Sequence, residues 1–283
     1  MTAFVPKQCI PLNPVFFTQL SGDTTKQIAE HLLKLIPAIP TGSIIHDNAC
    51  GTGAMTEAIM ETRVNTGVET TPHDITIFAT DIVRPVIEQM RKRADEKKWP
   101  LEAVEFMPSE ALTFLDGSFT HSFTNLGIMV MDRDIDAAKQ IYRTLKKGGI
   151  AVLSIWDKPL PVQAVTAAHL AVRPEGTQIP PAIKRGGFDD TNLRMILHTV
   201  GFRSIEFQHT YAVLEVNDLR KWASAAWSFL GCPATGWTAK DEDSWELAID
   251  IMVEYLEKYK GYQKLGDGRV TVIMPAHVAI AAK

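Results

Sequence analysis

The chain has 283 residues, 46% hydrophobic and 22% charged, a balance that supports an ordinary globular core and excludes a disordered or disulfide-stapled protein. A formal net charge of -4 leaves no surplus of cations to neutralise phosphates, so nucleic acid is not an expected partner. Cys9, Cys50 and Cys232 follow none of the paired spacings that zinc or redox motifs use, so no metal is expected and a reducing, cytoplasmic setting fits them.

Residues 1–6 lack the basic-then-apolar pattern of a secretion signal, and no run reaches membrane-spanning length. Residues 26–35 carry a helical stripe of Ile28, Ala29, Leu32, Leu33 and Ile36, stopped by Pro37 and Pro40. Residues 44–47 read as a short buried strand, followed by a glycine turn and a helix from Ala54 to about Met60. A second strand spans 75–80 and ends at Asp81. Pro85 opens the next helix, where its missing N–H costs nothing. Residues 101–107 and 119–125 supply two more strands, and 134–145 a helix whose stop is Lys146-Lys147-Gly148-Gly149, with glycine taking the left-handed position. Residues 150–155 are the continuous apolar strand expected in a parallel sheet covered on both faces.

Beyond Trp156 the pattern turns irregular and proline-rich, with a helical piece near 162–170, as in a cap over a pocket. A helix at 190–200, strands at 204–216 and 269–281, and a tryptophan-rich helical insertion at 218–262 complete the chain. The expected architecture is α/β: a Rossmann-like, doubly wound, mostly parallel sheet with an antiparallel C-terminal strand and a helical cap. It is expected as one domain in three stretches: a helical lid (1–43), a Rossmann-like core (44–156), and the rest of the sheet with cap and insertion (157–283).

The chemistry is carried by the ends of the predicted strands. In Asp47-Asn48-Ala49-Cys50-Gly51-Thr52-Gly53, closely spaced glycines let the backbone approach a ligand, and the following helix N-terminus favours an anionic group. Asp47 can receive an ammonium. Asp81 ends the second strand, where an α/β nucleotide site places a carboxylate for ribose hydroxyls, although an acidic residue there is also often a helix cap. Ser109-Glu110 after the third strand and Asn125-Leu126-Gly127 after the fourth complete the set. All lie at carboxyl ends of strands, the crevice in which open α/β sheets bind ligands.

The order of residues 47–53, Asp81, Ser109-Glu110 and Leu145-Lys146-Lys147-Gly148-Gly149 resembles the class I S-adenosylmethionine-dependent methyltransferases, over about 44–156. The wording of residues 47–51 and Ser154-Ile155-Trp156 is most similar to fungal small-molecule methyltransferases of secondary metabolism, with the gliotoxin bis-thiomethyltransferase group nearest. The resemblance implies that S-adenosylmethionine is the cofactor and S-adenosylhomocysteine the product. It implies that Ala49, Gly51 and Gly53 pass beside the methionine part, Asp81 holds the ribose, Ile82 and Glu110 flank adenine with the Ser109 amide, and Asn125 with Leu126 meets the amino group. Ala49 stands where the family has its first glycine, a mild change if the backbone there is ordinary. Pro108 stands where many members have an adenine-binding aspartate, and the Gly53-to-Asp81 interval is long.

Gly51-x-Gly53-x-x-Thr56 is also a near miss to the dinucleotide fingerprint of NAD-dependent oxidoreductases, but Thr56 stands at its third glycine or alanine and Asp47 would face a pyrophosphate. A cofactor-binding regulator without methyl transfer is the remaining alternative. Methyl transfer from a sulfonium needs positioning more than a catalytic triad, so no residue is expected to be essential as a base; His121, Asp157 and His169 are the candidates. Phe16, Phe17, Met129, Trp156 and Trp227 compose an aromatic, sulfur-rich pocket suited to a small flat or apolar acceptor, though Trp227 sits at core spacing too. A monomer or homodimer is expected.

Overall fold

The computed structural model describes residues 6–10, 20–65, 75–157, 159–180, 189–233 and 235–283. Its strands are β1 (Ser43–Asn48), β2 (Ile75–Asp81), β3 (Leu101–Phe106), β4 (Phe119–Asn125), β5 (Leu145–Trp156), β6 (Ser204–Val216), β7 (Tyr262–Lys264) and β8 (Val270–Ala282). Its helices are α1 (Thr24–Lys34), α2 (Ala54–Asn65), α3 (Arg84–Lys97), α4 (Asp134–Thr144), α5 (Leu160–Val172), α6 (Asp190–Val200), α7 (Leu219–Leu230), α8 (Ala239–Asp243) and α9 (Trp245–Glu257). The chain divides into two compact units, a larger one of Asp23–Asp157, Phe188–Ala212 and Pro275–Lys283, and a smaller one of Met1–Gly22, Lys158–Gly187 and Val213–Met274. Helix α1, expected in an N-terminal lid, belongs to the larger unit.

The sheet runs in the order β3-β2-β1-β4-β5-β8-β6, with β7 paired to β8. β1, β2, β3, β4 and β5 pair with one another in parallel and β8 is antiparallel to β5, the mostly parallel mixed sheet expected. The centre of the sheet is buried on both faces, which is why β1 and β5 read as nearly continuous buried runs: Ile45, His46, Asp47, Val152, Leu153 and Ile155 are all inaccessible. Chain direction reverses its winding between β1 and β4, the switch point where a crevice opens at the carboxyl ends of the strands.

The helices follow from local chemistry. Helix α3 starts with Pro85 in its first turn and ends at Lys98 in a left-handed conformation. Helix α6 is capped by Asp189 and Asn192 in a reciprocal capping box and stopped by Gly201 at φ 113. Lys146 to Gly149 departs from the expected helix stop. Helix α4 ends at Thr144, and Leu145 is already extended at φ -70, ψ 141, so these residues open β5 instead. Fully buried Leu145 pairs with Phe119, and the register then jumps so that His121 pairs with Ile150. The apolar anchor at Leu145 therefore decides the boundary over the glycines.

The smaller unit packs α5, α7 and α9 on one another. At its centre Arg173, 4% exposed, pairs with Asp241 at 2.8 Å and lies over the rings of Trp227 at 4.6 Å and Trp237 at 5.6 Å. Trp237 is also edge-to-face with Trp227 and Trp245, so the tryptophans of the insertion build this core.

Candidate functional site

The loop leaving β1 is held open from below. Ala49, Gly51 and Gly53 all take positive φ, at 54, 55 and 93. Gly53 has no room for a side chain: a Cβ there would lie 2.2 Å from Met90 Sδ. Around Gly51 the reverse holds, since nothing lies within 4 Å of the Cβ it lacks. Backbone is thus presented bare to the crevice at Gly51 and packed shut at Gly53. Arg93 Nη1 donates to the Thr52 carbonyl at 2.7 Å and Nη2 to Glu57 at 2.9 Å, fixing the loop to the first turn of α2.

Ala49 is not in an ordinary backbone region, contrary to the expectation that made its replacement of glycine mild. Its left-handed φ carries a strain of about 1 kcal/mol for a residue with a Cβ. The methyl group is accommodated because Gly127 faces it: a Cβ on Gly127 would come within 2.8 Å of Ala49 Cβ.

Asp81 ties the site together. Its Oδ2 accepts from the Gly51 N–H and its Oδ1 from the Val83 N–H, both at 2.9 Å. Each carboxylate oxygen keeps acceptor capacity for a further donor. Beside it Ile82 is 59% exposed, and Phe106, paired with Asp81 across β2 and β3, is 42% exposed with the Arg84 guanidinium 4.3 Å from its ring centre. Large apolar side chains left bare beside a carboxylate at a strand end make a candidate ligand surface.

Asp47 lies deeper. Its Oδ2 accepts from both the backbone N–H and the hydroxyl of Thr56, at 3.1 and 2.7 Å, so it anchors the start of α2. Burial raises its pKa to about 7, against the Thr56 hydrogen bonds and assisted by the nearby Asp81 charge. Neighbouring His46, fully buried and stacked on Phe119, bonds Thr80 at 2.9 Å, and burial lowers its pKa to about 3. Burial also holds the Cys50 thiol well above its usual range, consistent with a packed residue rather than a nucleophile.

Ser109 and Asn125 are in the crevice region, but their side chains are committed to the framework. Ser109 Oγ donates to Asn48 Oδ1 at 2.8 Å, and Asn48 donates to Thr124. Asn125 accepts from Ser154 Oγ at 2.8 Å and donates to the Thr25 carbonyl at 2.9 Å, joining β4, β5 and the start of α1. The Asn125 side chain therefore has a structural role, which leaves its backbone at the end of β4 to face the crevice. Leu126 follows at φ 58, its N–H bound to Ser154, and half-buried Glu110 sits in the short helical turn Ser109–Ala111.

The candidate bases separate. His121 is the third residue of β4 and lines a hollow with Pro37, Pro40 and Lys146 at the amino-terminal end of the strands, far from the crevice. His169 is buried in the smaller unit, bonded to Arg173 at 2.8 Å and to the Thr177 carbonyl at 3.3 Å. Only Asp157 stands at a carboxyl strand end, just past β5, with His277 Nε2 3.6 Å from its Oδ1 and His209 4.9 Å from His277 ring to ring. His277 and His209 were invisible to sequence reasoning, because their meeting with Asp157 depends on the register of β8 against β5. Met129 and Trp156 are buried in the larger unit and Trp227 in the core of the smaller; Phe16 and Phe17 lie outside the described residues. Among the described residues no group of three or more His, Cys, Asp or Glu is arranged to hold a metal, and no helix is long and apolar enough to cross a membrane.

Comparison with known proteins agrees with this geometry. Residues 46–153 match the family model described as a methyltransferase domain. The methyltransferase ktnA of Aspergillus niger is 21% identical over 233 residues, 73% of this chain and 74% of that protein. Among solved structures, a protein of Bacillus halodurans described as a methyltransferase superposes with a TM-score of 0.57 at 16% identity, over 91% of this chain and 99% of that one. A phosphoethanolamine N-methyltransferase of Haemonchus contortus, solved with S-adenosylhomocysteine, gives 0.54 at 13% identity over 95% of this chain and 56% of that one. The matched family model, the strand order and the glycine loop at the end of β1 agree: residues 46–153 are similar to methyltransferase domains, and the sheet has the Rossmann-like fold of the S-adenosylmethionine-dependent methyltransferases.

Proposed function

We propose that the protein transfers a methyl group from S-adenosylmethionine to an O, S or N nucleophile of a small, aromatic or apolar metabolite, within secondary metabolism. The observation that carries the cofactor's placement is the pairing of Asp81 with bare Ile82 beside the open Gly51 turn. The chemistry of this set fits the group: a carboxylate with acceptor capacity left for the ribose diol, an apolar face for adenine, and unencumbered backbone for the methionine end. Glu110 and the Ser109 amide border the adenine, and Leu126 with the Asn125 backbone borders the amino-acid end.

When bound, the cofactor supplies an electrophilic methyl on a sulfonium. This chain's residues orient it and exclude water. Arg93 and Asp47 brace the loop from beneath, and the bonds of Asp81 to Gly51 and Val83 preset the carboxylate before ligand arrives, so little ordering is left to binding. In this reading Asp157 with His277 takes a proton from an acceptor hydroxyl or amine, while an acidic thiol needs no base. A small acceptor accords with the net charge of -4, and a fungal metabolite with the likeness to the Aspergillus enzyme.

The test is transfer of labelled methyl from S-adenosylmethionine to a panel of thiols, phenols and amines, followed by release of S-adenosylhomocysteine. Turnover on a small acceptor with none on RNA, DNA or protein is expected. Turnover confined to a macromolecule, or none anywhere in the panel despite cofactor binding, contradicts the acceptor assignment.

A further inference from the structure

Cys9 and Cys232, separated by most of the sequence, are neighbours in the smaller unit, close enough for the Cys232 thiol to act on that of Cys9. The approach is built by the backbone. Ile10 N–H donates to both the carbonyl of Ser228, at 3.2 Å, and its hydroxyl, at 3.0 Å. The Ser228 hydroxyl in turn donates to the Gln8 carbonyl. The N–H groups of Lys7 and Gln8 converge on Glu242 Oε1, which also accepts from Trp237 Nε1 at 3.1 Å. Residues 7–10 are thereby laid along the C-terminal end of α7, where Cys232 follows Gly231.

We propose that Cys9 and Cys232 form a reversible disulfide that fastens the segment of residues 7–10 to the end of α7. Cys9 and Cys232 are both half-buried residues, whereas Cys50 is buried. Asp241 and Glu242 are close enough for their charge to act on Cys9. Burial, with the adjoining Cys232, pushes the Cys9 pKa up to about 12 and keeps that thiol protonated. Cys232 is then the sulfur that attacks and Cys9 the one that resolves.

The reaction balances as thiol-disulfide exchange with a small disulfide such as oxidised glutathione. The Cys232 thiolate breaks the glutathione S–S bond, forming a mixed disulfide and releasing one glutathione thiolate. Cys9 loses its proton to solvent and displaces the second glutathione. Two protein thiols are oxidised, one glutathione disulfide is reduced to two thiols, and the protein loses two hydrogens.

The test uses the full chain in glutathione buffers of increasing oxidised fraction, with acid quenching and non-reducing peptide mapping. The expected result is one linked peptide pair containing Cys9 and Cys232, with Cys50 still reduced. Thiols titrated in denaturant fall from three to one and return with dithiothreitol. Amide exchange across residues 8–10 slows in the oxidised form. Cys9→Ser and Cys232→Ser each abolish the link, and Cys9→Ser leaves a glutathione adduct on Cys232. Stable adducts on both cysteines of the unaltered protein, a link to Cys50, or three thiols persisting throughout would each overturn the proposal.

Discussion

His46 and Asp47 are adjacent, both buried in β1, and shifted in opposite senses. Burial lowers His46 from 6.5 to about 3 and raises Asp47 from 3.8 to about 7. A lowered histidine binds fewer protons folded than unfolded, so its contribution is present above pH 6.5 and is lost as pH falls below that value. Asp47 has the opposite slope: the folded state binds the extra proton, and stability falls as pH rises from about 4 to about 7. His46→Phe keeps the stack with Phe119 and the edge contact with Phe114 while removing one titration. We expect its urea-derived stability, relative to the parent, to gain about 1.4 kcal/mol per pH unit on lowering pH from 6.5 to 5. A pH-independent difference contradicts a buried neutral His46.

Loops joining the elements show which parts of the site a sequence can reveal. The glycine turn, Asp81 and Ser109 were legible because strand-end placement needs only local pattern. The commitments of Asn125 to Ser154 and Thr25 were not, since they depend on three elements meeting. Nor was the strain at Ala49, whose methyl is tolerated because Gly127 lies opposite. Gly127→Ala therefore should destabilise by about 1–2 kcal/mol through overpacking, and adding Ala49→Gly should recover most of that loss. Equal losses in the single and double variants, read by urea denaturation, contradict the pairing. At Leu145 the local helix-stop signal lost to a buried leucine pairing with Phe119 across the sheet.

For the whole molecule, alternation of strands and helices conveyed the parallel sheet and its antiparallel final strand, because period and run length are local properties. The division into two units was not legible, since each is assembled from three separate stretches. The smaller unit rests on the Arg173–Asp241 pair, at 4% and 6% exposure. Arg173→Met leaves Asp241 buried without its cation, and a loss of about 3 kcal/mol is expected, read as faster amide exchange across α7 and α9. Unchanged exchange there contradicts a central role for Arg173.

The crevice at Gly51, Asp81 and Ile82 is proposed to hold the methyl donor. Calorimetric titration with S-adenosylhomocysteine, beside NADH and beside Asp81→Ala, tests it most directly. Removing charge-assisted hydrogen bonds of about 1.5–3 kcal/mol predicts binding weakened roughly 10- to 100-fold in Asp81→Ala, with no binding of NADH. Absence of S-adenosylhomocysteine binding, or binding indifferent to Asp81, would contradict the account.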